Sequence, residues 1–206
     1  MRIGIVTGEY PPMQGGVGAY TDLLARHLAD QNQQVYLFSR AGTHSTDLPL
    51  EAGISAWGPA SLWAVRRWAR DSRLQIVCVQ FQTAAFDMSP WVHFLPDAAS
   101  VPVVTTFHDL RFPYLFPKAG LLRDWIVMRL ARASAGVIVT NDEDERQVRH
   151  LPHTALIPIA SNILAELPQP FDPVPWRKQA GASAGDFLLA HFGLVNYSKG
   201  LDVLLE

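Results

Sequence analysis

The first thirty residues, MRIGIVTGEYPPMQGGVGAYTDLLARHLAD, run from an apolar strand through a long loop into an amphipathic helix. That order commits a chain to a β–loop–α unit, the building block of a parallel sheet. Ile3, Ile5 and Val6 give Arg2 to Thr7 the pattern of a buried strand, and Val17, Tyr20, Leu24 and Leu28 recur at three- and four-residue steps. Between them, Gly8 to Gly16 tolerates neither helix nor strand: Pro11-Pro12 stiffens the loop and Gly15-Gly16 removes every Cβ where the helix begins. Backbone amides at a helix start point outward and carry the positive end of its dipole, which suits an anion, most simply a phosphate. The alternative is a tight turn that lets the helix pack on the sheet.

The rest of the chain repeats the alternation. Strands are expected at Gln34 to Ser39, Ile54 to Trp57, Gln75 to Gln80, Val101 to Phe107, Val137 to Thr140 and Thr154 to Pro158, with Ala41 to Gly53 as a loop. Helices are expected at Ser61 to Arg73 and Leu121 to Ala133, and Trp91 to Asp97 is ambiguous. Thr140 and Glu143 have capping-box spacing for a helix to about His150. Alternating strands and helices predict an α/β fold with a Rossmann-like, doubly wound parallel sheet. A first domain is expected over 1–165, then a proline-rich linker over 166–180, in which Trp176 to Ala180 opens a helix. A second domain would begin over 181–206 with a strand at Asp186 to Phe192 and a helix from Lys199.

Composition narrows the function classes. A chain of 206 residues that is 49% hydrophobic and 17% charged can bury a sizeable core. A net charge of −2 gives no global attraction to nucleic acid. The single Cys78 lies in the apolar run Ile76 to Val79 and reads as a buried structural thiol. Met1-Arg2-Ile3 enters a strand without a signal-peptide layout, so a cytoplasmic protein, with possible contact to the inner face of a membrane, is expected. The seven histidines show no paired metal-ligand spacing, so no metal is expected.

In a doubly wound sheet, ligands bind outside the carboxyl ends of the strands. The glycine loop, Phe107-His108-Asp109 and Thr140-Asn141 all fall there. His108 could bond a ligand hydroxyl or assist a proton movement, with Asp109 orienting it or binding a hydroxyl itself; a histidine satisfied by backbone is the alternative. Glu9 and Tyr10 read either as ligand contacts or as a solvated acid and a packing ring. Arg66, Arg67, Arg70 and Arg73 interleave with Trp57, Trp63 and Trp68, which suits an anionic membrane or a solvated face whose stems cover apolar surface.

The run GEYPPMQGGVGAYTDLLARHLAD resembles the amino-terminal glycine loop of the GT-B glycosyltransferases of family four, which include glycogen synthase-like and mannosyl- and glucosyl-transferring enzymes. FGLVNYSKGLDVLLE looks like the opening of their carboxy-terminal domain, with Lys199-Gly200 as the Lys-Gly pair. The resemblance implies a retaining, hexosyltransferase-type enzyme that moves a sugar from a nucleotide-diphosphate sugar to a hydroxyl of a carbohydrate or lipid-linked acceptor, without cofactor or metal. It implies Gly15, Gly16, Val17, Lys199 and Gly200 as donor diphosphate contacts, His108 with Asp109 in the active cleft, and Glu9 and Tyr10 toward the acceptor. The sequence departs from the pattern at Leu194, where an arginine is expected, and at Ala160, where many relatives carry glycine. The family's paired glutamates and its base-binding groups would follow Glu206, so this stretch alone is expected to be inactive. Two other readings stay open: a non-catalytic carbohydrate- or partner-binding relative, and an NADP-dependent oxidoreductase. For the latter, Gly16-Val17-Gly18 followed by Thr21 fails the dinucleotide pattern, while Ser39-Arg40 would suit a 2′-phosphate.

Overall fold

The computed structural model describes residues 1–110, 122–160, 167, 169–191 and 200–205. The chain divides into two compact units, Met1–Asn162 and Ile163–Glu206. The first is built on a seven-stranded sheet of β1 (Arg2–Thr7), β2 (Gln34–Arg40), β3 (Leu50–Ile54), β4 (Ile76–Phe81), β5 (Val103–Phe107), β6 (Gly136–Val139) and β7 (Thr154–Leu156). All pairs are parallel, in the order β3-β2-β1-β4-β5-β6-β7. Connecting them are α1 (Gly16–Asp30), α2 (Pro59–Asp71), a 3₁₀ turn (Pro90–Phe94) running into α3 (Leu95–Ala98), α4 (Leu122–Ala133) and α5 (Asp142–Val148). The Rossmann-like, doubly wound expectation is met.

Apolar residues are buried on both faces, as a parallel sheet requires. On one face Ile3, Ile5, Val35 and Leu37 pack with Ala25 of α1 and with Tyr10. On the other, Val6, Phe38, Val77, Val79, Phe81, Val103 and Phe107 meet Trp68 of α2, Leu95 of α3 and Leu130 of α4. Helix α2 opens on Pro59, where a missing N–H costs nothing, and turns Val65, Trp68 and Ala69 inward. Cys78 lies half-buried on β4, and burial pushes its thiol up to about 11, so it stays protonated.

Several boundaries differ from the sequence pattern for identifiable reasons. The third strand is Leu50–Ile54, starting four residues before the expected Ile54 to Trp57 and taking the end of the expected loop. It is an edge strand with an irregular register against β2, so only its last residue is buried and its apolar signal is weak. Trp57 and Trp68 are core residues, 3% and 8% exposed, and only Trp63 of that trio faces solvent. The α5 cap is Asn141, one residue after the expected Thr140: its Oδ1 accepts from the Asp144 amide at 2.8 Å, and its Nδ2 donates to the Asp144 carboxylate at 2.8 Å.

In the second unit, α6 (Pro173–Gln179) is capped by Asp172 and begins three residues before the expected helix start. Asp186 to His191 forms no strand, and among the described residues this unit holds no other strand to pair with it. Helix α7 (Leu201–Leu205) follows Gly200, whose φ of 63° is left-handed. Lys199, Leu194 and the remainder of 192–199 lie outside the described residues.

The loops after β1 and β4 meet at Gly8. A Cβ there would lie 2.3 Å from the Ala85 carbonyl oxygen and 2.8 Å from the Phe86 nitrogen, backbone atoms that have no rotamer to escape into. Gly8→Ala is therefore expected to cost about 2–3 kcal/mol of folding stability, read as a lowered urea midpoint.

Candidate functional site

The strand order reverses between β1 and β4. Strand β1 continues into α1, which packs on β1 and β2, whereas β4 continues into the 3₁₀ turn and α3 on the opposite face. In an open parallel sheet, ligands bind beyond the strand ends at such a reversal. Thr7 is in register with Gln80, and Gln80 with Thr106, so the ends of β1, β4 and β5 stand side by side. The His108 amide donates to the Phe81 carbonyl at 2.9 Å and carries the ladder one residue further.

Alternation along β4 puts Gln80 on the α1 side with Cys78, and there its side chain is 1% exposed. Its Oε1 lies 2.9 Å from His108 Nε2. With the amide oxygen toward the ring, Nε2 carries the proton and Nδ1 keeps its lone pair; no described residue hydrogen-bonds that nitrogen. Tyr20 of α1 meets the imidazole edge-on, with centroids 4.9 Å apart. Burial pulls the His108 pKa down to about 4, so the ring is neutral near pH 7 and can accept a hydrogen bond but bring no charge. Sequence reasoning passed over Gln80. Its signal was a lone amide near the end of the otherwise apolar strand IVCVQF.

The glycine loop carries an anion of its own. Glu9 Oε1 accepts from the amides of Val17 at 2.9 Å and Gly18 at 3.0 Å, and Thr7 Oγ1 holds the Glu9 carbonyl at 2.8 Å. The carboxylate lies so close over Gly15 that a Cβ there would be 2.1 Å from Oε1. Glu9 therefore faces the helix start instead of acting as an open acceptor contact, and it takes the Val17 amide expected to meet a phosphate. The amides of Gly15 and Gly16 have no acceptor among the described residues, and Gly16 is exposed.

Tyr10 takes the second of its two expected roles, a packing ring. It is 1% exposed, its hydroxyl bonds the Asp22 carboxylate, and burial with that bond pushes its pKa up to about 12. It is a core residue beneath α1, with no surface to offer an acceptor. Asp109 acts electrostatically on Asp144 of α5, whose carboxyl is raised chiefly by burial and partly by that like charge. Asp144 also accepts the Leu110 amide at 3.2 Å, fastening the chain just beyond His108-Asp109 to α5.

Residues 15–158 match the model of the Glycosyl transferase 4-like domain. The chain belongs to that family. Among solved structures, the domain resembles a glycosyltransferase from Rickettsia africae ESF-5 at 12% identity, covering 89% of this chain and 50% of that one, with a TM-score of 0.56. It also aligns with MurG from Acinetobacter baumannii at 12% identity, 86% and 48% coverage and a TM-score of 0.45. The domain thus spans about half the length of either structure. No curated protein matches it in sequence. The family match and the GT-B-like α/β fold agree with the resemblance carried by the glycine loop.

His93 and His108 both have pKa values lowered by burial, from 6.5 to about 4, with the Arg129 charge adding to the effect at His93. Each binds its proton more weakly folded than unfolded, so the unfolded chain takes up protons first on acidification. Stability fully present above pH 6.5 is expected to fall as the pH drops toward 4, by about 2–3 kcal/mol per histidine. Asp144 is raised and works in the opposite sense, relieving the folded state as it protonates. Urea midpoints across the pH range check this, and His108→Phe should remove about half of the loss.

Proposed function

We propose that the domain is the acceptor-side half of a retaining glycosyltransferase that moves a hexose from a nucleotide-diphosphate sugar to the hydroxyl of a carbohydrate or lipid-linked acceptor. The family match over residues 15–158 carries this reading. The β1–β4 reversal supports it by bringing His108, Gln80 and the glycine loop to the same strand ends.

In the transfer, the bond from the sugar's anomeric carbon to the leaving phosphate oxygen breaks and a bond to the acceptor oxygen forms. The acceptor proton leaves with the diphosphate or with solvent. Charge builds on the departing diphosphate, so electrostatic stabilisation there is the main catalytic effect. His108, held neutral, would accept a hydrogen bond from a hydroxyl of the reacting sugar through Nδ1 and position it. The exposed amide of Gly16 and its neighbour at Gly15 would meet a diphosphate oxygen, and Lys199 and Gly200 remain diphosphate contacts on the strength of the sequence motif. Glu9 weakens that anion site, because its charge already offsets the dipole of α1. The same carboxylate favours the second reading, a non-catalytic sugar- or partner-binding domain.

Glu9→Gln separates the two. Glutamine can still accept the two amides but removes the negative charge, so stability should fall by no more than ~1 kcal/mol. If a donor diphosphate approaches α1, affinity for nucleotide sugars should rise several-fold in the protein containing this domain, read by calorimetry with UDP-, GDP- and ADP-sugars. Transfer by that protein should drop about 10²-fold in His108→Ala, with a smaller change in donor affinity. Unchanged turnover in His108→Ala would remove His108 from the reaction. Nucleotide-sugar binding without transfer would favour the binding domain.

A further inference from the structure

Away from these strand ends, the outer surface of α2 is basic and aromatic. Its inward residues Val65, Trp68 and Ala69 are committed to the core, while Trp63, Arg66, Arg67 and Arg70 face out. Trp63 is 70% exposed, and the Arg66 guanidinium stands 5.9 Å over its ring. With Ser100, which follows α3, these residues line a shallow groove of about 640 Å³. Helix α2 contacts the 3₁₀ turn and α3, and α4 contacts both, so they form one layer. That layer exposes two more tryptophans, Trp91 at 42% and Trp125 at 52%.

Charge on this surface opposes that of the chain. Residues 66–73 hold four arginines and one aspartate, in a chain whose net charge is −2. Asp71 is bound to Arg70 at 3.0 Å, and the nearby Asp97 is bound to Arg129 at 2.7 Å. Arg66, Arg67 and Arg73 are exposed, with no described carboxylate in salt-bridge range.

From this combination we infer that the α2 face docks on the surface of an anionic lipid bilayer. Arginines pair with lipid phosphates, and their attraction reaches about one Debye length from the surface. A soluble polyanion would engage the arginines equally well but gives no reason to expose three indoles. Tryptophan, apolar in its ring and polar at its N–H, is favoured where hydrocarbon gives way to headgroups. Docking would be peripheral: the inner side of α2 belongs to the core, and no described helix is long and apolar enough to cross a membrane. The inference goes beyond the transfer reading and stands without it.

Vesicle co-sedimentation of the chain tests it, comparing phosphatidylcholine alone with phosphatidylcholine mixed with phosphatidylglycerol. Binding to the anionic vesicles only, weakening with added salt, is expected. Replacing Arg66, Arg67 and Arg70 together by glutamine should lower it about a hundred-fold, at about five-fold for each charge. Trp63→Ala should weaken binding several-fold while leaving its salt dependence in place. All four positions are exposed, and an unchanged urea midpoint verifies that the variants fold. Equal binding to neutral vesicles, no binding to either, or full binding by the triple variant would overturn the proposal. So would binding to heparin that matches vesicle binding and is indifferent to Trp63→Ala, since the partner would then be a soluble polyanion.

Discussion

The first amides of a helix have no partner within it, and at α1 two of them are met by Glu9. The arrangement fixes more than a cap. Thr7, the last residue of β1, holds the Glu9 carbonyl, and the Glu9 side chain then reaches across Gly15 to the helix start. Strand and helix are thus joined across the loop by one residue's backbone and side chain. Gly15 has extended backbone that any residue could adopt, so its requirement is the space that the carboxylate fills. Tyr10 is carried under α1 by the same path and bonds Asp22, which bonds Arg26 one turn on at 2.9 Å.

The segment around His108 is anchored with similar economy. Its amide continues the β-ladder to Phe81, its ring is held by Gln80, and Leu110 is fastened to Asp144. Two residues of chain therefore run between fixed points on β4 and α5. A neutral imidazole in this setting is the direct result of desolvation, since no carboxylate is among the causes acting on it. A bonded amide at Gln80 also resolves what would otherwise be a costly polar group inside the sheet. The residue that orients the candidate site thus also satisfies the interior.

Legibility from sequence followed burial. Strands β1, β2, β4 and β5 have continuous apolar patterns because both faces are covered, and they were readable to within two residues. Strand β3 was placed four residues late because an edge position demands little of its side chains. Trp63 and Trp68 differ by five residues, which places them far apart around a helix, yet period alone does not say which faces the core. The strand-end location of His108 was legible, whereas its partner was not, because a hydrogen bond between neighbouring strands depends on register. Tyr10 was legible as a packing ring, one of its two readings, whereas neither reading of Glu9 foresaw a helix cap. A loop side chain's direction is set by what it closes on, here a helix start eight residues later and a core beneath it.

A capped helix start also constrains how the proposed reaction is shared. A departing diphosphate carries several negative charges, and two amides beside a resident carboxylate offset little of that. Cations are needed, and two described arginines of this unit, one of them at the end of β2, are already engaged. Arg40, at the end of β2, is bound to Asp87 at 2.8 Å, and Arg26 is bound to Asp22 and Asp47. Redirecting either would break an ion pair before making a new one. On the proposed reading, the first unit positions the sugar and the acceptor, and its own strand ends leave the diphosphate short of cationic contacts.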